Sequence, residues 1–474
     1  MEVIEFRPLT TAQVDVSVIS VEVAGEEKTQ SVLMWLVGLP PLTRRQRNVL
    51  ELNVWLEIVG EYGVLLSGLS LSAIETSLHI SDDALSMLSA ITSLAGVISI
   101  FYALLGDAYG RTYLLHISVP AGAFFSFACG LATNAWWWTV FSFAVRLAPG
   151  FPGLAFLVEE MPSEGRGLVA SFIGFGAALG ALAALFFWWC IGDYSWGWRA
   201  MILLHSIPLI VLSFKMLLDP NYLPESRCFM PSPGNGFEVF VRPLGLFFKQ
   251  SHRRLLINYF IFTFVFGITY ASTGKFVFVH LTNECGYTSK DNCELALLGI
   301  ACAIPLSIFV GKYQDKLGRI PTGQVIWIFG GLINAFFYLA PCDSVLVPIS
   351  FVLVVCIPQY ARITVTKLVG AELFQTEHRC LAGSLVGVVS AVSTALGFIL
   401  YPVLAKRFSE REAQVIFALS SMLITLVWSL LPETAGIPMN NLNDISTEAG
   451  SKDVQYGSVT LDRATFVGTR VSLT

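Results

Sequence analysis

Apolar runs of about 20 residues follow one another along most of the chain, broken by short polar segments that carry Gly, Pro or charge. Read as helices they give twelve spans, over 49–74, 84–105, 113–133, 136–159, 168–191, 198–218, 255–280, 294–310, 323–340, 345–372, 381–405 and 413–431. At a rise of about 1.5 Å per residue each can cross most or all of a ~30 Å hydrocarbon layer. In that solvent only a helix or a closed barrel satisfies its own backbone polar groups. The longest break, 219–254, is rich in Pro, Gly and Arg and divides six spans from six. The predicted organisation is an N-terminal tail (1–48), a first six-helix bundle (49–219), a linker (220–254), a second bundle (255–432) and a polar, Ser/Thr-rich C-terminal tail (433–474) that reads as disordered.

Composition supports the same class. Of 474 residues, 54% are apolar and 13% charged, about half the charge of an ordinary soluble domain at ~25%. A net charge of −5 lacks the basic surface that nucleic-acid binding needs. No Walker loop, nucleophile elbow or paired C-x-x-C occurs, so neither an enzyme nor a cofactor or metal is expected. The first 30 residues carry acidic residues throughout and do not read as a signal peptide. Most of the nine cysteines lie within apolar runs; Cys285 and Cys293 share a polar loop, with Cys342 in another loop on the same side, which allows a disulfide if that side is oxidising.

Lys and Arg in short loops mark the cytoplasmic side. One set of loops holds Arg44, Arg45, Arg47, Arg111, Arg166, Arg227, Arg242, Lys249, Arg253, Arg254, Lys312, Lys316, Arg319 and Arg379; the other holds Lys290, Lys406, Arg407 and Arg411, with Arg199 at its border. Both termini are therefore predicted to be cytoplasmic in a plasma membrane or endomembrane. The hairpin KRFSERE before span 12 runs against this bias.

The two halves repeat. GDAYGR after span 2 (Asp107, Gly110, Arg111) recurs as QDKLGR after span 8 (Asp315, Gly318, Arg319), 208 residues later. E-x-x-P-x-x-x-R after span 4 (Glu159, Pro162, Arg166) recurs after span 10 as E-x-x-Q-x-x-x-R (Glu372, Gln375, Arg379), and Pro224-Glu225 recurs as Pro432-Glu433. Three pairs in one order at nearly one offset imply duplicated bundles with a solute site between them.

On these motifs residues 44–438 resemble the major facilitator superfamily. Gly197-Trp198-Arg199, PES, ELFQTEHR and LLPETAGIPM are similar to the branch holding sugar porters, phosphate symporters, organic-ion transporters and synaptic-vesicle-type relatives. The resemblance implies an all-α membrane fold of two pseudo-symmetric six-helix bundles, a monomer working by alternating access, and a cytoplasmic gate built from Asp107, Gly110, Arg111, Glu159, Arg166, Glu225, Asp315, Gly318, Arg319, Glu372, Arg379 and Glu433. The run RLAPGFPG from Arg146 sits closer to Glu159 than the sugar-porter pattern requires, and sugar binding is not carried over.

Charges within spans are costly and mark pathways. Glu61 lies twelve residues into span 1, with Glu57 one turn away on the same face; Arg146 lies thirteen residues before Glu159 and Arg362 ten before Glu372. By the resemblance, spans 1, 4 and 10 line the cavity. The expected partners are a small polar solute, protons and the bilayer: one of Glu57 and Glu61 takes up a proton while Arg146 and Arg362 hold an anionic or strongly polar solute. The alternative is permanent pairing, of Glu61 with Arg146 or of Glu57 with Arg362. Glu51 and Lys367 are expected to snorkel to the cytoplasmic interface. Proton-free facilitated diffusion and a non-transporting receptor or vesicle-membrane role are the competing functions.

Overall fold

The computed structural model describes residues 18–23, 26–31, 42–80, 88, 91–92, 95, 104–106, 108–147, 151–161, 166–192, 194–219, 222–226, 250–374 and 379–436. Eleven of the twelve expected spans coincide with helices there; span 2 falls mostly outside the described residues. Ahead of the bundle, β1 (Val18–Val23), β2 (Glu26–Ser31) and β3 (Leu42–Thr43) form an antiparallel sheet in that order, with Val18 opposite Ser31 and Lys28 opposite Thr43. The hydropathy pattern gives no sign of this ribbon.

Span 1 is α1 (Arg44–Leu69). It starts earlier than the apolar run because Thr43 and Gln46 cap it reciprocally: the Thr43 hydroxyl accepts the Gln46 N–H at 3.2 Å and Gln46 Oε1 accepts the Thr43 N–H at 3.0 Å. Arg44, Arg45 and Arg47 thus stand in the first turn of the helix rather than in a loop. After the short α2 (Leu71–Leu78) come α3 (Arg111–Gly130), α4 (Ala135–Leu147) and α5 (Phe151–Glu160), which together form span 4, α6 (Arg166–Ile191) and α7 (Gly197–Leu218). The second bundle comprises α8 (Gln250–Asn283), α9 (Ser289–Leu317), α10 (Arg319–Leu339), span 10 as α11 (Leu346–Val354) and α12 (Arg362–Glu372), α13 (Arg379–Arg407), and span 12 as α14 (Glu410–Ser420) and α15 (Leu423–Trp428). Among the described residues seven segments are long and apolar enough to cross a membrane, and the chain is a multi-pass membrane protein.

Span 10 is not one continuous α-helix. Between α11 and α12, Val355–Ala361 winds as a π-helix around Pro358. Proline has no N–H and its ring crowds the preceding turn, so the widened turn is its direct consequence. Such bulges change the direction of the residues that follow, and the first residue after this one is Arg362.

Each half has its own core, and a third cluster joins them: Ala177, Ala178, Ala181 and Leu185 of α6 pack with Ile300 and Ala303 of α9. In a bilayer, helices associate by close packing of small residues rather than by a hydrophobic drive. At Gly180 a Cβ would lie 2.1 Å from the Ile58 carbonyl oxygen, so glycine is what lets α1 lie against α6.

At the end opposite the basic loops, two arginines repeat one task. Arg199 Nη1 donates to the carbonyls of Gly130 and Ala132 at 3.3 and 2.5 Å, beyond the last turn of α3. Arg411 donates to Tyr338, Leu339 and Ala340 at the same place on α10. A cation beside the orphan carbonyls of a helix C-terminus is favourable, which explains why the basic hairpin sits against the charge bias. The disulfide joins Cys285 to Cys342, and Cys293 is a buried free thiol.

Candidate functional site

Two tiers of charge lie where the bundles meet. The first is the rim at the basic end. Glu225 accepts the N–H of Arg111 and of Thr112, both at 3.1 Å, and so caps α3; Glu433 accepts the N–H of Arg319 at 2.8 Å and of Ile320 at 3.0 Å and caps α10. All three positions are displaced by the 208 residues of the sequence repeat. Gly110 and Gly318, the residues before those helices, have φ of 109° and 103°, a region open to glycine and strained for residues with a Cβ. A Cβ at Gly110 would also fall 2.2 Å from Glu225 Oε2.

The arginines that open these helices turn inward. Arg111 Nη2 donates to Glu159 Oε1 at 3.2 Å, and Arg319 donates to Glu372 at 3.4 Å and to Asp315 at 2.8 Å. Arg111, Glu159, Arg319 and Glu372 are almost completely buried, and Asp315 is partly exposed. Two further contacts cross between the halves: Arg166 Nη1 donates to Glu372 Oε1 at 3.0 Å, while Asp315 accepts the N–H of Gly167 and of Leu168 at 2.8 Å each and thereby caps α6 from the other bundle. Removing one partner from a dry pair of this kind costs about 3–5 kcal/mol, because the other charge stays buried.

The second tier lies deeper. Lys367 of α12 forms an ion pair with Glu57 of α1, joining the halves again. Glu61 is half-buried one turn above, and the charges that bear on it are Lys367, Glu57 and Arg362. The Arg362 guanidinium lies over the Phe266 ring of α8, 4.8 Å from its centroid, where the ring quadrupole favours a cation. Both acids come from the first bundle and both bases from the second, and the four charges sum to zero.

The structure therefore brings Glu57, Glu61 and Arg362 together. Arg146 stands in an exposed position on α4 and is not among the charges acting on Glu61. Of the rim residues, Asp107 lies outside the described residues, and Arg379 is described only as the first residue of α13. Lys367 corrects the sequence reading: it reaches Glu57 rather than the interface. Glu57 accordingly pairs with Lys367 and not with Arg362. Glu51 is taken by Lys215 at 2.6 Å. Sequence reasoning also missed Gln314, whose Nε2 donates to the Gly167 carbonyl at 2.9 Å, and Glu160, which Arg45 grips with two bonds of 2.7 and 2.6 Å. Gln314 stands beside Asp315 in the repeated loop, and Glu160 beside Glu159; adjacency to a motif was the available signal.

Comparison with known proteins fixes the family. The family model described as Major Facilitator Superfamily matches residues 58–370. A candidate metabolite transport protein of Haemophilus influenzae is 23% identical over 395 residues, covering 79% of this chain and 93% of its own length. The proline/betaine transporter of Salmonella typhimurium is 26% identical over 256 residues, 47% of this chain and 49% of that protein. Among solved structures, the proton:xylose symporter XylE superposes with a TM-score of 0.63 at 18% identity, over 85% of this chain and 99% of XylE. The chain belongs to the major facilitator superfamily. It is a transporter, not an enzyme, with the all-α two-bundle fold that the repeat implied.

Proposed function

We propose that the protein is a proton-coupled secondary transporter of a small carboxylate-bearing or similarly anionic solute, working by alternating access with both termini in the cytoplasm. The observation that carries this reading is the charge-balanced cluster of Glu57, Glu61, Arg362 and Lys367 between the bundles, whose bases stand five and ten residues before Glu372 of the rim. Separating the halves at that level pulls acids from bases. The lost partners must be replaced, a carboxylate by a proton and a guanidinium by a solute anion, or charge is left in a low dielectric.

The rim serves as the cytoplasmic gate. Its inter-half bonds, Arg166 to Glu372 and Asp315 to the start of α6, exist only while that side is closed. Support for a carboxylate comes from the proline/betaine transporter, whose solutes both carry one, and support for the proton comes from XylE, named as a proton symporter. Purified protein in liposomes tests the reading: proton-driven uptake of a small carboxylate should be lost in Arg362→Gln and weakened in Glu61→Gln. Equal uptake by both variants and wild type would remove these charges from the transport site.

A further inference from the structure

We propose that His280, Cys285 and Cys342 form a binding site for one zinc-class cation when the bridge between the two cysteines is open, so that the ends of α8 and α10 opposite the basic loops are held together either by a disulfide or by a metal ion. The proposal goes beyond the transport reading and does not depend on the solute.

The local chain builds the site. At the end of α8 the His280 carbonyl accepts the N–H of Glu284 at 3.0 Å and of Cys285 at 3.3 Å. Gly286, at φ 72°, then reverses the chain, and the Tyr287 N–H donates to the Leu281 carbonyl at 3.0 Å. That reversal folds Cys285 back beside His280, whose Nε2 lies 3.9 Å from the Cys285 Sγ. Cys342 follows α10 by way of Pro341. The His280 ring packs edge-on against Phe337 and Tyr338 of α10, with centroids 5.4 and 5.1 Å apart, and Arg411 holds the carbonyls of Tyr338, Leu339 and Ala340. None of these contacts runs through the sulfur bridge, so opening it leaves two thiols and an imidazole facing one another.

The donor set selects the ion. The imidazole nitrogen and the two sulfurs lie within 4.8 Å of one another, His280 buried and both cysteines half-buried. Tetrahedral zinc, with bonds of about 2.3 Å to sulfur and about 2.0–2.1 Å to nitrogen, places its ligand atoms about 3.5–3.8 Å apart, a spacing that small side-chain rotations reach. Two thiolates and a neutral imidazole carry two negative charges, which a divalent ion cancels, and sulfur with imidazole favours zinc over the oxygen-seeking magnesium and calcium. The charges that bear on His280 are Glu284 and Arg411, one of each sign. A cavity of about 480 Å³ opens onto Cys285 and carries the carboxylates of Asp291 and Glu294, which draw cations toward it; water from it completes the coordination. No C-x-x-C spacing announces the site, because its sulfurs stand 57 residues apart.

The two states exclude each other, since both use the same sulfurs. A dithiol opens the bridge by exchange, giving two electrons and two protons to the Cys285 and Cys342 sulfurs and closing into its own disulfide. The ion then forms two metal–sulfur bonds and one metal–nitrogen bond to His280 Nε2, and both thiol protons leave to water.

Cobalt(II) tests the site as a stand-in for zinc, because thiolate bound to it gives a charge-transfer band. Full-length protein in nanodiscs is opened anaerobically with an immobilised phosphine, which takes oxygen from water to become the phosphine oxide, and is titrated with cobalt and then zinc. Reduced wild type should gain one cobalt per chain and a thiolate band that zinc bleaches, relative to unreduced protein; the free thiols are present in both, so the difference reports the bridge sulfurs. His280→Gln and Cys342→Ser should each weaken this ion at least about tenfold, the least that loss of a partner in such a site costs. A count of free thiols before reduction shows whether His280→Gln has closed its bridge and so has folded, and that variant decides if Cys342→Ser does not fold. A reduced wild type with no more cobalt or band than the unreduced protein, or wild-type affinity in either folded variant, overturns the proposal.

Discussion

Substitution of Gly311 by alanine should act on the contact between α6 and α9 through shape alone. Gly311 of α9 faces α6, and a Cβ there would lie 2.3 Å from Ser171 Cβ and 2.9 Å from the Gly167 carbonyl oxygen. Carbon atoms rest at about 3.5–4.0 Å, and both obstructing atoms are fixed to the α6 backbone, so no rotamer relieves the overlap. Ser171 is fully buried and its hydroxyl is committed to the Leu168 carbonyl at 2.6 Å. Overpacking of this kind costs about 1–3 kcal/mol, and here it is borne only while α6 and α9 touch. At about 1.4 kcal/mol per tenfold change, the closed-to-open ratio should fall between about fivefold and 150-fold. Spin labels at the exposed ends Leu218 and Leu317, one on each bundle, with the exposed Cys190 and Cys302 replaced by serine, would read the change as a shift to longer separations. Gly60→Ala is the control, since nothing lies within 4 Å of the added methyl. A Gly311→Ala distance distribution identical to that of Gly60→Ala would show that α6 and α9 do not part in the cycle.

Other consequences follow from single contacts. Glu225→Gln and Glu433→Gln remove the charge that caps α3 and α10, and each should lower thermal stability by about 1 kcal/mol, with similar effects because the two caps are equivalent; a several-fold disparity in a melting assay would break the pseudo-symmetry argument. Reduction of Cys285–Cys342, which closes a separation of 57 residues, should destabilise the second bundle by about 4 kcal/mol, seen as an earlier melt in the presence of a dithiol; an unchanged melt would mean that the bridge is not formed in the protein. Arg362→Lys should raise KM for a carboxylate more than it lowers kcat, because lysine keeps the charge and loses the planar fork; a pure kcat effect would place Arg362 in gating instead.

The helix caps of the rim were legible in the sequence, and for a physical reason. A hairpin with a tight turn needs glycine at positive φ, and a helix start needs a carboxylate, so Gly110, Gly318, Glu225 and Glu433 are fixed by local backbone demands that one chain states twice. Twelve apolar runs were equally plain, since each must satisfy a solvent of known thickness. The inner tier was only half legible. Glu57, Glu61 and Arg362 stand out as charges in apolar runs, whereas the partner of Glu57 depends on how two bundles meet. Lys367 lies within reach of the interface along its own helix and was assigned there, and nothing in span 10 alone says that α1 supplies an acid at that height. The same holds for Cys342 as the partner of Cys285, since the sequence left Cys293 and Cys342 both open as partners. Arg411 reads as a topological irregularity until the α10 carbonyls it caps are seen.

The most direct measurement is uptake by purified protein in liposomes, comparing proline, betaine, a simple monocarboxylate, phosphate and xylose with and without an inward proton gradient. Accumulation of a carboxylate only when the gradient is present, without net charge movement for a monoanion, is the predicted result. Gradient-independent equilibration of xylose, or no uptake of any of these by correctly folded protein, would contradict a charge-balanced, proton-loaded site.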